Sequence, residues 1–231
     1  MPIHEEVLGS ANAVAERAAC LIAVAAREAV AERGRFIFAL SGGRTPGAML
    51  RALAAEDVPW DGLRLVQVDE RVAPEGHADR NLTLLRSSLL DRAPLHADQI
   101  YPMPVEESDL DGAAADYARV LTGLAGAPPE LDLVHLGLGA DGHTASLVPG
   151  DPVLDVRDAD VALTQPYQGL RRMTLTLPVL DRARRVLWVV TGSDKAEALA
   201  RLRRGDAGIP AGHVDSARAT LLTDAEAAGR R

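Results

Sequence analysis

Two kinds of apolar pattern alternate along the chain. One is a short, near-continuous apolar run: Arg35–Leu40 (RFIFAL), Leu63–Val68 (LRLVQV), Leu131–Leu138 (LDLVHLGL), Met173–Leu177 and Val186–Thr191 (VLWVVT). Such runs predict strands buried on both faces. The other is a longer amphipathic stretch. Ser10–Arg33 is Ala-rich with its charges on one side, opens on a cap-like Ser10 and is followed by Gly34, so it predicts a long helix. Further helices are predicted from Pro46 to about Ala55, over Asp79–Leu90, over Leu110–Leu124 and over Asp194–Arg203. Leu221–Thr223 reads as a last short strand before a terminal helix. The fold class this alternation predicts is α/β: a doubly wound, mostly parallel sheet with helices on both faces. With no internal repeat or long linker, residues 1–231 read as a single domain.

In such sheets the ligand crevice lies beyond the carboxyl ends of the strands. Three polar loops fall there: Ser41–Pro46, Asp69–Pro74 and Gly139–Pro149. In the first, Ser41, Gly42, Gly43, Arg44 and Thr45 join a strand to a helix start, where free backbone N–H groups form a site for phosphate. It is not a Walker loop, because Ala48 and Met49 stand where Lys and Ser/Thr belong. A plain strand-to-helix turn is the competing reading. In the third, Asp141-Gly142-His143 places an imidazole, able to act as a base near neutral pH, beside a carboxylate that can orient it. An Asp cap with an exposed His competes with that reading.

Other motifs are weaker. Gly137, Gly139 and Gly142 match a dinucleotide fingerprint, but the Pro-broken segment after them does not suit its helix. His77, His135, Asp141 and His143 could be considered for zinc, yet their spacing fits no familiar zinc motif and His135 sits in an apolar strand, so no metal is expected. No G-x-S-x-G elbow is present for a serine hydrolase. Asp69-Glu70-Arg71 is either a solvated turn or, beside a phosphate loop, an anion grip through Arg71. Arg171-Arg172 and Lys195 are further cations that could converge.

Composition narrows the function. The 231 residues carry 25 basic and 33 acidic side chains, a net charge of −8, which disfavours a nucleic-acid surface. No apolar run approaches the roughly 18 residues of a membrane span. Met1–Ser10 carries Glu5 and Glu6 and does not read as a signal peptide. The single cysteine, Cys20, expected as a buried residue of the first helix, allows no intrachain disulfide and fits a reducing cytoplasm. Of the 25 basic residues 24 are Arg, so the one Lys, Lys195, is a position that could require a compact ammonium, unless it is there by chance. The residues support a cytoplasmic α/β protein with an anion-binding crevice and a loop histidine.

Ser41–Pro46, Asp69–Pro74 and Gly137–Leu147, with His77–Asn81, Arg172–Pro178 and Thr191–Ala196, together resemble the 6-phosphogluconolactonase family over nearly the whole chain. The resemblance implies hydrolysis of 6-phospho-D-glucono-1,5-lactone in the oxidative pentose phosphate pathway. It also implies no cofactor, and a fold shared with glucosamine-6-phosphate isomerases/deaminases. It implies that His143 activates water and that Asp141 orients it or the substrate. Ser41, Gly42, Gly43, Arg44, Thr45, Asp69, Arg71, Arg172 and Lys195 would hold phosphate and sugar oxygens. The expected partner is a small sugar phosphate, with no nucleic acid or membrane, bound by a monomer or weak homo-oligomer. Arg44, Ala73 and Val148 depart from the residues common in the family, which puts loop packing in question. The aminosugar branch carries a Glu at the place of Val148. That branch, and a non-catalytic sugar-phosphate sensor on the same fold, are the rival readings.

Overall fold

The computed structural model describes residues 3–229, apart from the side chain of Arg44. Among these residues ten strands and six α-helices run in the order β1 (His4–Leu8), α1 (Ala11–Arg33), β2 (Phe36–Leu40), α2 (Arg44–Leu53), β3 (Leu63–Gln67), β4 (Asp69–Arg71), α3 (Asn81–Leu85), β5 (Ile100–Tyr101), α4 (Leu110–Ala125), β6 (Leu133–Leu136), β7 (Val161–Leu163), β8 (Arg172–Leu175), α5 (Leu177–Arg182), β9 (Val186–Val190), α6 (Ala196–Arg203) and β10 (Ala219–Asp224). Seven strands form one sheet in the order β1-β10-β9-β6-β2-β3-β5, and every neighbouring pair in it is parallel.

Alternation explains the apolar runs. Phe36, Phe38 and Leu40 of β2 pack with α1, α2 and α3, whereas Ile37 and Ala39 turn to the face covered by α4, α5 and α6. On β9, Leu187 and Val189 join the first core and Val186, Trp188 and Val190 the second. Both of these strands feed two cores, so both of their faces are apolar. The long helix begins where its cap predicts: Ser10 accepts a hydrogen bond from the N–H of Ala13 at 3.2 Å, and Gly34 ends it at φ +72°; Cys20 lies in it half-buried rather than buried, at the margin of the apolar stripe. None of the described helices is long and apolar enough to cross a membrane.

Four of the elements expected from the sequence take another form in the structure. First, β8 does not join the parallel sheet; with β4 and β7 it builds a three-stranded antiparallel sheet. Val68 couples the two sheets, donating to the Leu40 carbonyl at 2.9 Å and accepting from the Leu175 N–H at 2.8 Å. Second, Asp69–Arg71 is therefore a strand, not a turn, and Asp69 and Glu70 are buried in it. Third, the helix expected over Asp79–Leu90 starts only at Asn81, where the Glu70 carboxylate accepts from the N–H groups of Asn81 and Leu82, and it widens to a π-type turn over Arg86–Leu90. Fourth, no terminal helix follows β10 among the described residues. Asp224 accepts from the N–H of Ala227 and folds the chain into turns.

Candidate active site

The sheet order locates the crevice. From the middle of the sheet the chain builds outward through β2, β3 and β5, then returns to place β6 beside β2 and builds the other way through β9 and β10. The order reverses between β2 and β6, and loops leaving the carboxyl ends of such a pair diverge to leave a cleft. A cleft of about 560 Å³ lies there. Of the residues singled out in the sequence, Ser41, Gly42, Gly43, Thr45, Asp69, Arg71, His143 and Lys195 line it. Asp141 and Arg172 do not line it; Asp141 reaches it through His143, and Arg172 through its strand partner Arg71. The side chain of Arg44 lies outside the described residues, and its backbone opens α2.

The loop after β2 is built from backbone. Gly43 holds φ +116° just before α2, a conformation L side chains rarely adopt, and the first turn of α2 presents N–H groups that have no partner within the helix. Ser41 Oγ donates to the His135 carbonyl at 2.9 Å, and Thr45 Oγ1 meets Thr191 Oγ1 at 2.9 Å, tying the loop to β6 and to the end of β9.

The loop after β6 is built to aim a side chain. It bonds to itself: Gly139 N–H donates to His143 O at 2.8 Å, Gly142 N–H to Gly139 O at 3.0 Å, and Thr144 Oγ1 to Gly137 O at 2.9 Å. Asp141 Oδ1 accepts from the His143 backbone N–H at 3.2 Å and meets His143 Nδ1 at 2.6 Å. Its other oxygen, Oδ2, accepts from the Tyr167 hydroxyl at 2.9 Å. Burial alone would raise the Asp141 carboxyl. The facing His143 charge, the His143 hydrogen bonds and the Tyr167 hydroxyl outweigh it and hold the group below its ordinary value. A carboxylate at Nδ1 keeps the proton on that nitrogen and leaves Nε2 as the basic one. The turn-rich segment that follows contains no dinucleotide-type helix among the described residues.

The antiparallel sheet carries two of the cations. Arg71 and Arg172 are direct partners across β4 and β8. Like charges directly opposite repel. Burial first, then the charge of Arg71, lowers the Arg172 guanidinium from its ordinary value, against the pull of Asp69, Tyr167 and Asp141. Among the described residues the Nε atoms of both arginines are buried without a hydrogen-bond partner. Arg71 is held from behind, donating to Asp79 O at 2.6 Å and Asn81 Oδ1 at 2.9 Å. Asp69 accepts from Asn81 Nδ2 at 3.1 Å and Ser146 Oγ at 2.6 Å. Lys195 follows Gly192 on the far wall and pairs with Asp194 at 3.1 Å.

The other histidines stand apart. His135 is fully buried, and desolvation pushes it down to about 3, so it is neutral. His77 is exposed and bonds the N–H of Asp79. Among the described residues no three His, Cys, Asp or Glu side chains gather as a metal site would require. Sequence reasoning missed Glu70, Asn81, Ser146 and Tyr167. Asn81 carried a signal, since it closes one of the stretches of family resemblance; Tyr167 carried none.

Fold and crevice place the chain in the doubly wound α/β class, with an anion-ready cleft at the point where strand order reverses. The family model of glucosamine-6-phosphate isomerases/6-phosphogluconolactonase matches residues 9–223, and the chain belongs to that family. It is 37% identical over 201 residues to a 6-phosphogluconolactonase of Synechocystis sp., covering 85% of this chain and 83% of that one. The 6-phosphogluconolactonase of Homo sapiens is 40% identical over 210 residues, 84% of this chain and 77% of its own. The solved 6-phosphogluconolactonase from Trypanosoma cruzi superposes with a TM-score of 0.85 at 26% identity, covering 98% of this chain and 96% of that one. The family resemblance read from the motifs is thereby borne out.

Proposed function

We propose that this protein hydrolyses 6-phospho-D-glucono-1,5-lactone to 6-phospho-D-gluconate, in the oxidative pentose phosphate pathway of the cytoplasm. The whole chain would act as one domain, as a monomer or weak homo-oligomer. The observation that carries the reading is the Asp141–His143 pair, closed at 2.6 Å with His143 on the wall of a cleft that also holds a helix N-terminus and the cations Arg71 and Lys195, with Arg172 opposite Arg71 across β4 and β8. The relatives named 6-phosphogluconolactonase, at 37–40% identity over most of the chain, support the choice of lactone.

Each part of the site has a task in this reaction. The phosphate of the substrate sits at the start of α2, where backbone N–H groups and the helix dipole favour an anion. Arg71, Arg172 and Lys195 supply the opposite charge, and a bound anion relieves the repulsion between the two arginines. His143 Nε2 takes a proton from water as the water oxygen attacks the lactone carbonyl. Asp141 holds the resulting imidazolium. The tetrahedral oxyanion gains from the nearby cations, which stand in place before charge develops. The ring C–O bond then breaks, and His143 returns its proton to the departing sugar oxygen. The carboxylic acid product loses its proton to solvent.

The test offers freshly made lactone to purified protein and follows acid release above the spontaneous rate, with a chelator present and no metal added. Acceleration supports the reading; binding without turnover would favour the sensor. Glucosamine 6-phosphate, offered to the same preparation, is expected to give no ammonia. Ring opening and proton transfer between neighbouring carbons call for more than one acid–base group, and Val148 is a buried apolar residue. Ammonia release that His143→Ala abolishes would overturn the choice of branch.

A further inference from the structure

We propose that Tyr167 is a positioning residue for the base: its hydroxyl fixes the Asp141 carboxylate so that one oxygen is committed to His143. The inference rests on the hydrolase reading above. The geometry is a relay of three side chains. Tyr167 Oη donates to Asp141 Oδ2 at 2.9 Å, while Asp141 Oδ1 meets His143 Nδ1 at 2.6 Å. The two rings also meet edge to face, with centroids 5.7 Å apart. A carboxylate with one oxygen engaged elsewhere cannot rotate to offer the other, so the imidazole keeps a single tautomer and orientation.

The backbone around Tyr167 is arranged to hold it there. Tyr167 and Leu170 exchange backbone hydrogen bonds, N–H of Tyr167 to O of Leu170 at 3.0 Å and the reverse at 3.3 Å. The two residues between them, Gln168 and Gly169, have φ +53° and +85°. A two-residue hairpin of this kind requires positive φ at both positions. Glycine accepts that freely, and glutamine does not. Gln168 is held by its side chain, whose Oε1 accepts from the Arg172 guanidinium at 3.2 Å. The same guanidinium lies over the Tyr167 ring, 4.8 Å from its centroid. Arg172 therefore clamps the turn and the ring together, and the ring reaches the base through one hydroxyl. Burial, and then the bond to Asp141, raises the Tyr167 hydroxyl from its ordinary value, so it stays protonated and a donor throughout the neutral range.

Tyr167→Phe removes the hydroxyl and keeps the ring under Arg172. A hydroxyl donated to Asp141 withdraws charge from the carboxylate, so its loss strengthens the hold of Asp141 on a protonated His143. The acid limb of the kcat/KM profile should then move to higher pH, because the base must be neutral to act. The plateau kcat should fall about threefold or more as the imidazole loses its fixed aim, with KM unchanged. Tyr167→Ala also removes the face under Arg172 and should raise KM as well. An acid limb that stays in place, or moves down, in Tyr167→Phe overturns the proposal even if kcat falls, since lost packing alone does not move it. His143→Ala is run beside it. If that variant keeps its turnover, the base assignment fails. If it is inactive while Tyr167→Phe leaves the limb in place, only the positioning role fails.

Discussion

The loops after β2 and β6 leave adjacent strands and face one cleft, yet they are made on opposite plans. The β2 loop passes at once into a ten-residue helix and contributes mainly backbone. The β6 loop makes no helix, closes on itself through its own carbonyls, and contributes a side chain. Both need glycine, for different reasons. A Cβ on Gly42 would overlap Oδ1 of Asn81, the residue that braces both Asp69 and Arg71. A Cβ on Gly139 would overlap the His143 ring and the Asp141 carboxylate. One plan suits a ligand group that is already charged and needs many weak donors; the other suits a proton transfer that needs one group held in one pose.

The comparison predicts a split in kinetics. His143→Ala should lower kcat by about 10²–10⁴-fold, the usual worth of base catalysis, with KM little changed. Near-wild-type turnover in the folded variant would remove His143 from its role. Gly139→Ala keeps the dyad but pushes it aside. A displacement of about 1 Å at a reacting group can cost about 10²-fold, so kcat should fall by up to that amount. If Gly139→Ala instead changed KM alone, the two loops would not divide the work as proposed. Gly42→Ala tests the other side. Its Cβ displaces Asn81 and so loosens Arg71, and KM should rise by about tenfold, about 1.4 kcal/mol of binding, with kcat less affected. A kcat defect larger than the KM defect would merge the two plans into one.

How much of this is legible in sequence follows from the range of the forces involved. The central strands and α1 are legible because their signals are local: continuous apolar runs, a Ser cap, a Gly stop. Strand β1 is not, because HEEVL is an edge strand whose acids are neutralised by distant partners, Glu6 by Arg17 and Glu5 by Arg203. Strand β4 reads as a turn because Asp69 and Glu70 look solvated. Only the fold brings Ser146, Gln67 and the N–H groups of Asn81 and Leu82 to satisfy them. At the cleft the two Gly-rich loops announce themselves, since glycine and charge at strand ends are local features. Tyr167 does not, because its contact with Asp141 spans 26 residues and depends on a turn held by Arg172.

Lys195 offers the finest division between the two plans. It belongs to neither loop: it lines the cleft from the segment after β9, next to Gly192, whose N–H donates to the buried Asp224 carboxylate at 3.1 Å. It is the single lysine in a chain with 24 arginines. Its Nζ meets Asp194 Oδ2 at 3.1 Å, and about a quarter of its side chain is exposed. An ammonium is a compact point charge with three donors that turn freely, whereas a guanidinium is a planar fork that pairs side-on with a carboxylate. Lys195→Arg keeps the charge, but it invites a bidentate bond to Asp194 and draws the cation off the cleft wall. If Lys195 holds the substrate's anionic group, KM should rise several-fold with kcat nearly unchanged, as for Gly42→Ala but smaller. If it instead supports the oxyanion, kcat should fall and KM hold, and the cation would belong with the β6 loop. Steady-state kinetics on the lactone, corrected for spontaneous hydrolysis, separate the two. Unchanged constants would return Lys195 to the surface and make its survival among arginines an accident of composition.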